Sequence, residues 1–206
     1  MASTLDELFG EVGRDLFLSG AVTSHGGNLS LCDGESIWIT RTGSQLGRLG
    51  AGDVICTGFC EDPRDADCSS ELIVHRAIYH AMSRRCEAAG EEFGQRAIVH
   101  AHTAYTTLLS LYSDEIASVD SECKYLLPEP TPVITAKQTI GSPEVAQKMA
   151  DLVEAGRNIA VIRNHGPFCI AKSLGGALQL VSSLEHSCKM ATLIEQKEAA
   201  RKILQG

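Results

Sequence analysis

The residues best equipped for chemistry in this chain lie in Gln95-Arg96-Ala97-Ile98-Val99-His100-Ala101-His102-Thr103. The apolar, β-branched run before the histidines predicts a short buried strand. Residues two apart on a strand point to one face, so both imidazoles leave its end side by side. A divalent cation such as zinc could bridge them at ~2.0–2.1 Å per nitrogen. The alternative is two histidines at a strand end, each bonded to a backbone carbonyl. A zinc site built on histidines also needs a ligand from a distant segment. His165 qualifies: Ile159-Ala160-Val161-Ile162 predicts a buried strand that delivers Asn164-His165-Gly166-Pro167 as a turn.

Two further stretches carry groups that suit an anion. In Ser24-His25-Gly26-Gly27-Asn28-Leu29-Ser30, paired glycines before Asn28 predict a tight turn whose amides can face a negative charge. Arg41-Thr42-Gly43-Ser44 is a second polar turn. Ser69-Ser70-Glu71 opens a predicted helix to about Arg85, and a helix N-terminus with hydroxyls beside it is a ready phosphate site. The competing reading of these residues is structural: glycine turns between strands, serine caps, and an acid placed to suit the helix dipole. His75 and His80 on that helix read as ordinary helix histidines, and His186 as a surface or interface residue.

The elements that must position these groups follow from periodicity. Leu5, Leu8, Phe9, Val12, Leu16 and Phe17 have helical spacing, with Ser3 or Thr4 as cap. Strands are predicted over 36–40 and 53–60, with a charged loop over 61–67. A polar loop over 86–94 precedes the His-x-His strand. A helix over 103–112, a short strand over 116–119 and an irregular stretch over 120–131 follow. A strand over 132–136, a helix from Ser142-Pro143 to about Ala155, a hairpin strand over 168–171 and a long helix from Leu174 complete the chain.

A chain of 206 residues suits one domain, read here as spanning 1–206. A formal net charge of −8 argues against a nucleic-acid partner and requires any anionic substrate to be held by local donors. No apolar run approaches the ~20 residues of a membrane span, and residues 1–14 lack the basic start and apolar core of an export signal. The eight cysteines contain no Cys-x2-Cys pair, and Cys56-x3-Cys60 is the nearest approach to a metal-ligand pair. Reduced, mostly buried thiols in a cytoplasmic protein are the expectation.

Read together, Gly27-Asn28-Leu29-Ser30, Thr42-Gly43, Ser69-Ser70-Glu71, His100-x-His102 and Asn164-His165-Gly166 occur in an order and spacing that resembles the class II aldolase/adducin family, most of all its fuculose-phosphate-aldolase branch. The resemblance covers about residues 5–195. It implies an α/β fold in three layers, with a mostly antiparallel central sheet and helices on both faces, and a homotetramer with active sites at subunit contacts. It further implies that His100, His102 and His165 are zinc ligands. Glu71 would be the fourth ligand at rest and the general acid/base during turnover. Asn28, Thr42, Gly43, Ser69 and Ser70 would form the pocket for a substrate phosphate.

The expected activity is cleavage of a small ketose 1-phosphate, such as L-fuculose 1-phosphate, to dihydroxyacetone phosphate and an aldehyde. Three neutral imidazoles leave a cation strongly positive and able to stabilise enediolate charge, and a nearby carboxylate can move the C3 proton. Within the family, members similar to ribulose-phosphate 4-epimerase usually carry Asp at position 71, and decarboxylase-like members often carry Lys in place of Ser70. Adducin-like binding modules lack the histidines. A sugar-phosphate 4-epimerase or dehydratase on the same scaffold is the alternative, a non-catalytic module the third reading. The fuculose-phosphate branch places a proton-donating Tyr about nineteen residues after the second histidine. That position is Ser121 here, with Tyr125 available only after a shift of the loop, and the tail tyrosine of that branch has no counterpart.

Overall fold

Eight strands close around the apolar runs just described, and a computed structural model describes them within residues 4–205. The first helix, α1 (Leu5–Leu18), begins with a capping box between Thr4 and Glu7, and its Phe9, Val12 and Leu16 are buried. Ser3, the other cap expected, lies outside the described residues. Next come β1 (Asn28–Cys32), β2 (Ile37–Thr40) and β3 (Val54–Thr57) as an antiparallel meander. Helix α2 (Leu72–Ala89) leads to β4 (Arg96–His100), which returns beside β1. After α3 (Ala104–Ser110), β5 (Glu115–Ile116), α4 (Ser121–Leu126), β6 (Thr131–Ile134), α5 (Pro143–Glu154), β7 (Ile159–Ile162) and β8 (Gly166–Ala171), the chain ends in α6 (Leu174–Gln205).

The strand order is β3-β2-β1-β4-β8-β7-β6-β5, and among the described strands every neighbouring pair except β6 with β7 is antiparallel. Alternate residues of each central strand feed two separate cores. Leu29, Leu31, Ala97 and Val99 face α1, α3, α4 and α6. Ile98, Phe168, Ile170 and Ile162 face α2 and α5. The expected three-layer α/β architecture is therefore observed.

Several boundaries differ from expectation. The helix after Glu71 runs four residues past Arg85 and stops at Gly90, whose φ of 69° is the left-handed stop glycine supplies without strain. The stretch after Asp120 is not irregular: the Asp120 carboxylate accepts from the Cys123 amide and caps the short helix α4. The charged stretch after Glu61 holds a 3-10 turn over Pro63–Asp67. The His-x-His strand ends at His100, and His102 lies in the connection to α3, its amide bonded to Ala21 O. All eight cysteines are free thiols, six of them buried.

Candidate metal centre and active site

The register of the three central strands places the first site residues. Asn28 at the start of β1 lies opposite His100 at the end of β4, and His100 lies opposite Phe168 of β8. Residues directly opposite share a face, so Asn28 and His100 project on the α2 side, where the His100 ring stacks on Phe168 at 4.0 Å. The turn between β7 and β8 brings His165 to the same end of the sheet. Asn164 adopts φ 58° there, a left-handed conformation that Asn tolerates better than most residues.

The three imidazoles converge. His100 Nε2 is 3.1 Å from His102 Nε2 and 3.3 Å from His165 Nε2. A tetrahedral zinc site with bonds of ~2.0–2.1 Å separates its donor atoms by about 3.3 Å. The Glu71 carboxylate joins them, with Oε2 3.0 Å from His100 Nε2 and Oε1 4.0 Å from His165 Nδ1. The chemistry of this donor set is that of a cation site. His100 Nδ1 donates to Pro167 O at 3.0 Å and His165 Nδ1 donates to Thr139 O at 3.0 Å. In neutral rings both Nε2 atoms are then bare lone pairs. Burial, and then the neighbouring imidazoles, holds His100 well below the ordinary histidine pKa, and burial first also lowers His102. Lone pairs and a carboxylate crowded at 3.0–3.3 Å repel unless a cation lies among them. The carbonyl partners imagined for strand-end histidines do exist for His100, but on the ring nitrogen that faces away from the site.

Glu71 occupies the position that precedes α2, yet its side chain makes no bond to that helix's amides. It turns into the sheet, where Asn28 Nδ2 donates to Oε2 at 2.9 Å and Gly141 N–H to Oε1 at 3.4 Å. The dipole-complementing role expected of an acid at a helix start is not what this carboxylate does.

Asn28, Thr42, Gly43, Ser69, Ser70, Glu71, His102 and His165 line one cleft of about 220 Å³, with fully buried His100 behind them. The amides of Thr42 and Ser69 are used inside the fold, by Asp67 O and Thr40 O. Ser121 and Tyr125 do not line it; they lie on α4, and Tyr125 is exposed.

Gly141, which lies in none of the motifs, also builds the site, as do neighbours of Asn28 and Thr42 within theirs. A Cβ on Gly141 would stand 2.3 Å from Ser70 O, and one on Gly26 2.7 Å from His102 Nδ1. Both glycines are needed so that backbone can lie against the ligand residues. Arg41 and His25 line the cleft as well. The Arg41 guanidinium is tied to Asp67 at 2.9 Å and to Gly52 O, and His25 meets Gln45 and Ser24.

Comparison with known proteins agrees with this geometry. L-fuculose phosphate aldolase of Methanocaldococcus jannaschii is 29% identical over 185 residues, 90% of this chain and 94% of that one. 3-Oxo-tetronate 4-phosphate decarboxylase of Haemophilus influenzae is 26% identical over 193 residues, 89% of this chain and 85% of the other. The crystal structure of L-fuculose-1-phosphate aldolase from Thermus thermophilus superposes with a TM-score of 0.83 at 27% identity, covering 95% of this chain and 96% of that one. Aldolases and decarboxylases both break carbon–carbon bonds, so the chain stands among lyases. Residues 7–192 match the profile described as Class II Aldolase and Adducin N-terminal domain, and the chain is a member of that family.

Proposed function

We propose that this protein is a zinc-dependent aldolase that cleaves a small ketose 1-phosphate, of the L-fuculose 1-phosphate kind, to dihydroxyacetone phosphate and an aldehyde. The observation that carries this reading is the meeting of three imidazole nitrogens and one carboxylate at the inner end of an open cleft. His100, His102 and His165 hold the ion, with Glu71 as its fourth partner before substrate enters. A divalent ion held there supplies electrophilic stabilisation for negative charge that develops at a substrate carbonyl. Three nitrogens with one carboxylate suit zinc best among the common divalent metals.

The chain's own groups do the rest. The phosphate is held by the Gly43 and Ser70 amides, the hydroxyls of Thr42, Ser69 and Ser70, and the second amide proton of Asn28. These are neutral donors, which fits a protein with a net charge of −8. Glu71, released toward the substrate, takes and returns the proton at the carbon next to the carbonyl. The decarboxylase relative makes loss of carbon dioxide from a phosphorylated oxo acid the second reading; an epimerase or dehydratase on the same site is a weaker third.

The test is a product assay. The purified protein, reloaded with zinc, is offered fuculose, rhamnulose, ribulose and 5-deoxyribulose 1-phosphates and 3-oxo-tetronate 4-phosphate. Release of an aldehyde together with dihydroxyacetone phosphate from a ketose 1-phosphate supports the aldolase, and carbon dioxide with dihydroxyacetone phosphate from the oxo acid alone supports the decarboxylase. Less than about one divalent ion per four chains after purification, with no turnover, leaves the non-catalytic module.

A further inference from the structure

The sheet and α2 meet along two polar stripes inside an otherwise apolar core. Asn28 and Ser30 are two apart on β1 and share one strand face. Glu71, His75 and Tyr79 are four apart along the start of α2 and share one helix face. All five side chains are buried, and Ser30, His75 and Tyr79 have no exposed surface. Their hydrogen bonds form one unbroken line. Asn28 Nδ2 lies 2.9 Å from Glu71 Oε2, His75 Nε2 lies 2.5 Å from Asn28 Oδ1, Ser30 Oγ lies 2.6 Å from His75 Nδ1, and Tyr79 OH lies 2.7 Å from Ser30 Oγ.

We propose that Tyr79, Ser30 and His75 are positioning residues whose hydrogen bonds all run in one direction and, through Asn28, fix the Glu71 carboxylate at the metal centre. The direction follows from the donor and acceptor inventory. An ionised carboxylate only accepts, so Asn28 presents its NH2 to Glu71 and its carbonyl to His75. A carbonyl also only accepts, so the proton of His75 is on Nε2. The His75 ring has no exposed surface, and a charge there would be cut off from water, so the ring carries a single proton. Nδ1 is then an acceptor and Ser30 donates to it. Ser30 has spent its one proton, so Tyr79 donates to Ser30. Burial holds the Tyr79 phenol well above its ordinary pKa, and it keeps the proton the line starts from.

An apolar stripe between β1 and α2 would pack without the desolvation cost of five polar groups. What the line gives in return is a single allowed orientation for Asn28 and a single rotamer for Glu71, a residue that precedes the helix and that no helix amide restrains. His75, which reads in sequence as an ordinary helix histidine, is the centre of this line. The inference rests on the proposed function only in taking Glu71 as the working group.

The test reads the His75 tautomer directly, by long-range nitrogen–proton NMR on the zinc-loaded protein labelled at histidine. The expected result is the neutral Nε2–H form in the wild type. In Ser30→Ala the ring loses its only donor at Nδ1, so the Nδ1 resonance shifts while the proton stays on Nε2, held by the Asn28 carbonyl. Turnover on the cleaved sugar phosphate then falls about tenfold with KM within twofold. Ser30→Thr, which restores a hydroxyl, recovers both. Tyr79→Phe leaves Ser30 its proton, and so keeps the Nε2–H form. A wild-type ring protonated on Nδ1, or a Ser30→Ala ring and turnover equal to wild type, overturns the proposal. The NMR measurement needs no substrate. A wild type inactive on every sugar phosphate therefore overturns the functional reading while the tautomer still decides this one.

Discussion

At the scale of single residues, Glu71 is asked to be both a ligand and a proton carrier, and substitution separates the two. Glu71→Gln keeps the shape and one acceptor oxygen but cannot carry the proton. Three imidazoles remain to hold the ion, so zinc content by metal analysis should stay near one per chain while turnover drops roughly 100-fold or more. Equal turnover would remove Glu71 from the chemistry. Three histidines also give the metal-free protein a defined pH response. His75, at about 3, and His100 and His102 all have pKa values lowered first by burial. Unfolded histidines take up protons as pH falls through about 6.5, whereas these do not. Stability is therefore unaffected well above pH 6.5 and falls below it, at up to about 1.4 kcal/mol per pH unit for each such histidine, until the folded value is reached. Urea unfolding of the metal-free protein at pH 7.5 and 5.5 measures this. His75→Gln should flatten the dependence, and an unchanged slope would show that His75 is not held neutral.

At the scale of elements, α3 is the clamp between the two histidine segments. It starts two residues after His102, its Thr107 hydroxyl donates to His165 O at 3.3 Å, and Ser110 Oγ accepts from Asn164 N–H at 3.1 Å. Thr103, which precedes it, makes no side-chain cap, and its hydroxyl is buried without a partner among the described residues. The cap comes from α6 instead: the Glu185 carboxylate accepts from the Tyr105 and Thr106 amides at 2.9 and 2.8 Å and from the Thr106 hydroxyl. Glu185→Ala should cost about 2 kcal/mol in urea unfolding and weaken zinc binding about tenfold in a chelator competition. Loss of stability with unchanged zinc affinity would mean that α3 does not transmit to the site. This contact also marks where reading from sequence ends. His100 and His165 were legible because strand periodicity and a turn position each fix locally where a ring points, whereas His102, past the end of the strand, is placed by its amide bond to Ala21 O. Gly141, Glu185 and the partnership of His75 with Ser30 were not, because each depends on which distant segment packs against it, and no local pattern encodes that. The Asp120 cap of α4 was a local signal that three nearby prolines obscured.

At the scale of the whole molecule, the open cleft and the position of α4 bear on how many chains make one working site. Glu71 sits at the start of α2 on one face of the sheet, and α4 packs with α6 on the other. Tyr125 on α4 is 85% exposed and Tyr112 82%. Leu108 and Leu111, close to Tyr112 in the chain, and Val119, close to Tyr125, are exposed as well, and exposed apolar side chains grouped in this way mark a surface that meets a partner. A second copy of this chain is the partner expected, and a tyrosine from it could supply the proton donor that no residue of α4 offers to the cleft of its own chain. If Tyr125 plays that part, Tyr125→Phe should lower turnover while leaving zinc content and the His75 tautomer intact. The decisive experiment mixes it with Glu71→Gln by co-expression. Each variant alone spoils every site. In closed, randomly mixed oligomers that share sites between neighbours, about one site in four draws both intact residues from different chains. Recovery toward a quarter of wild-type turnover is the expected outcome. Mixed oligomers no more active than the separate variants would place the whole site, proton donor included, within one chain.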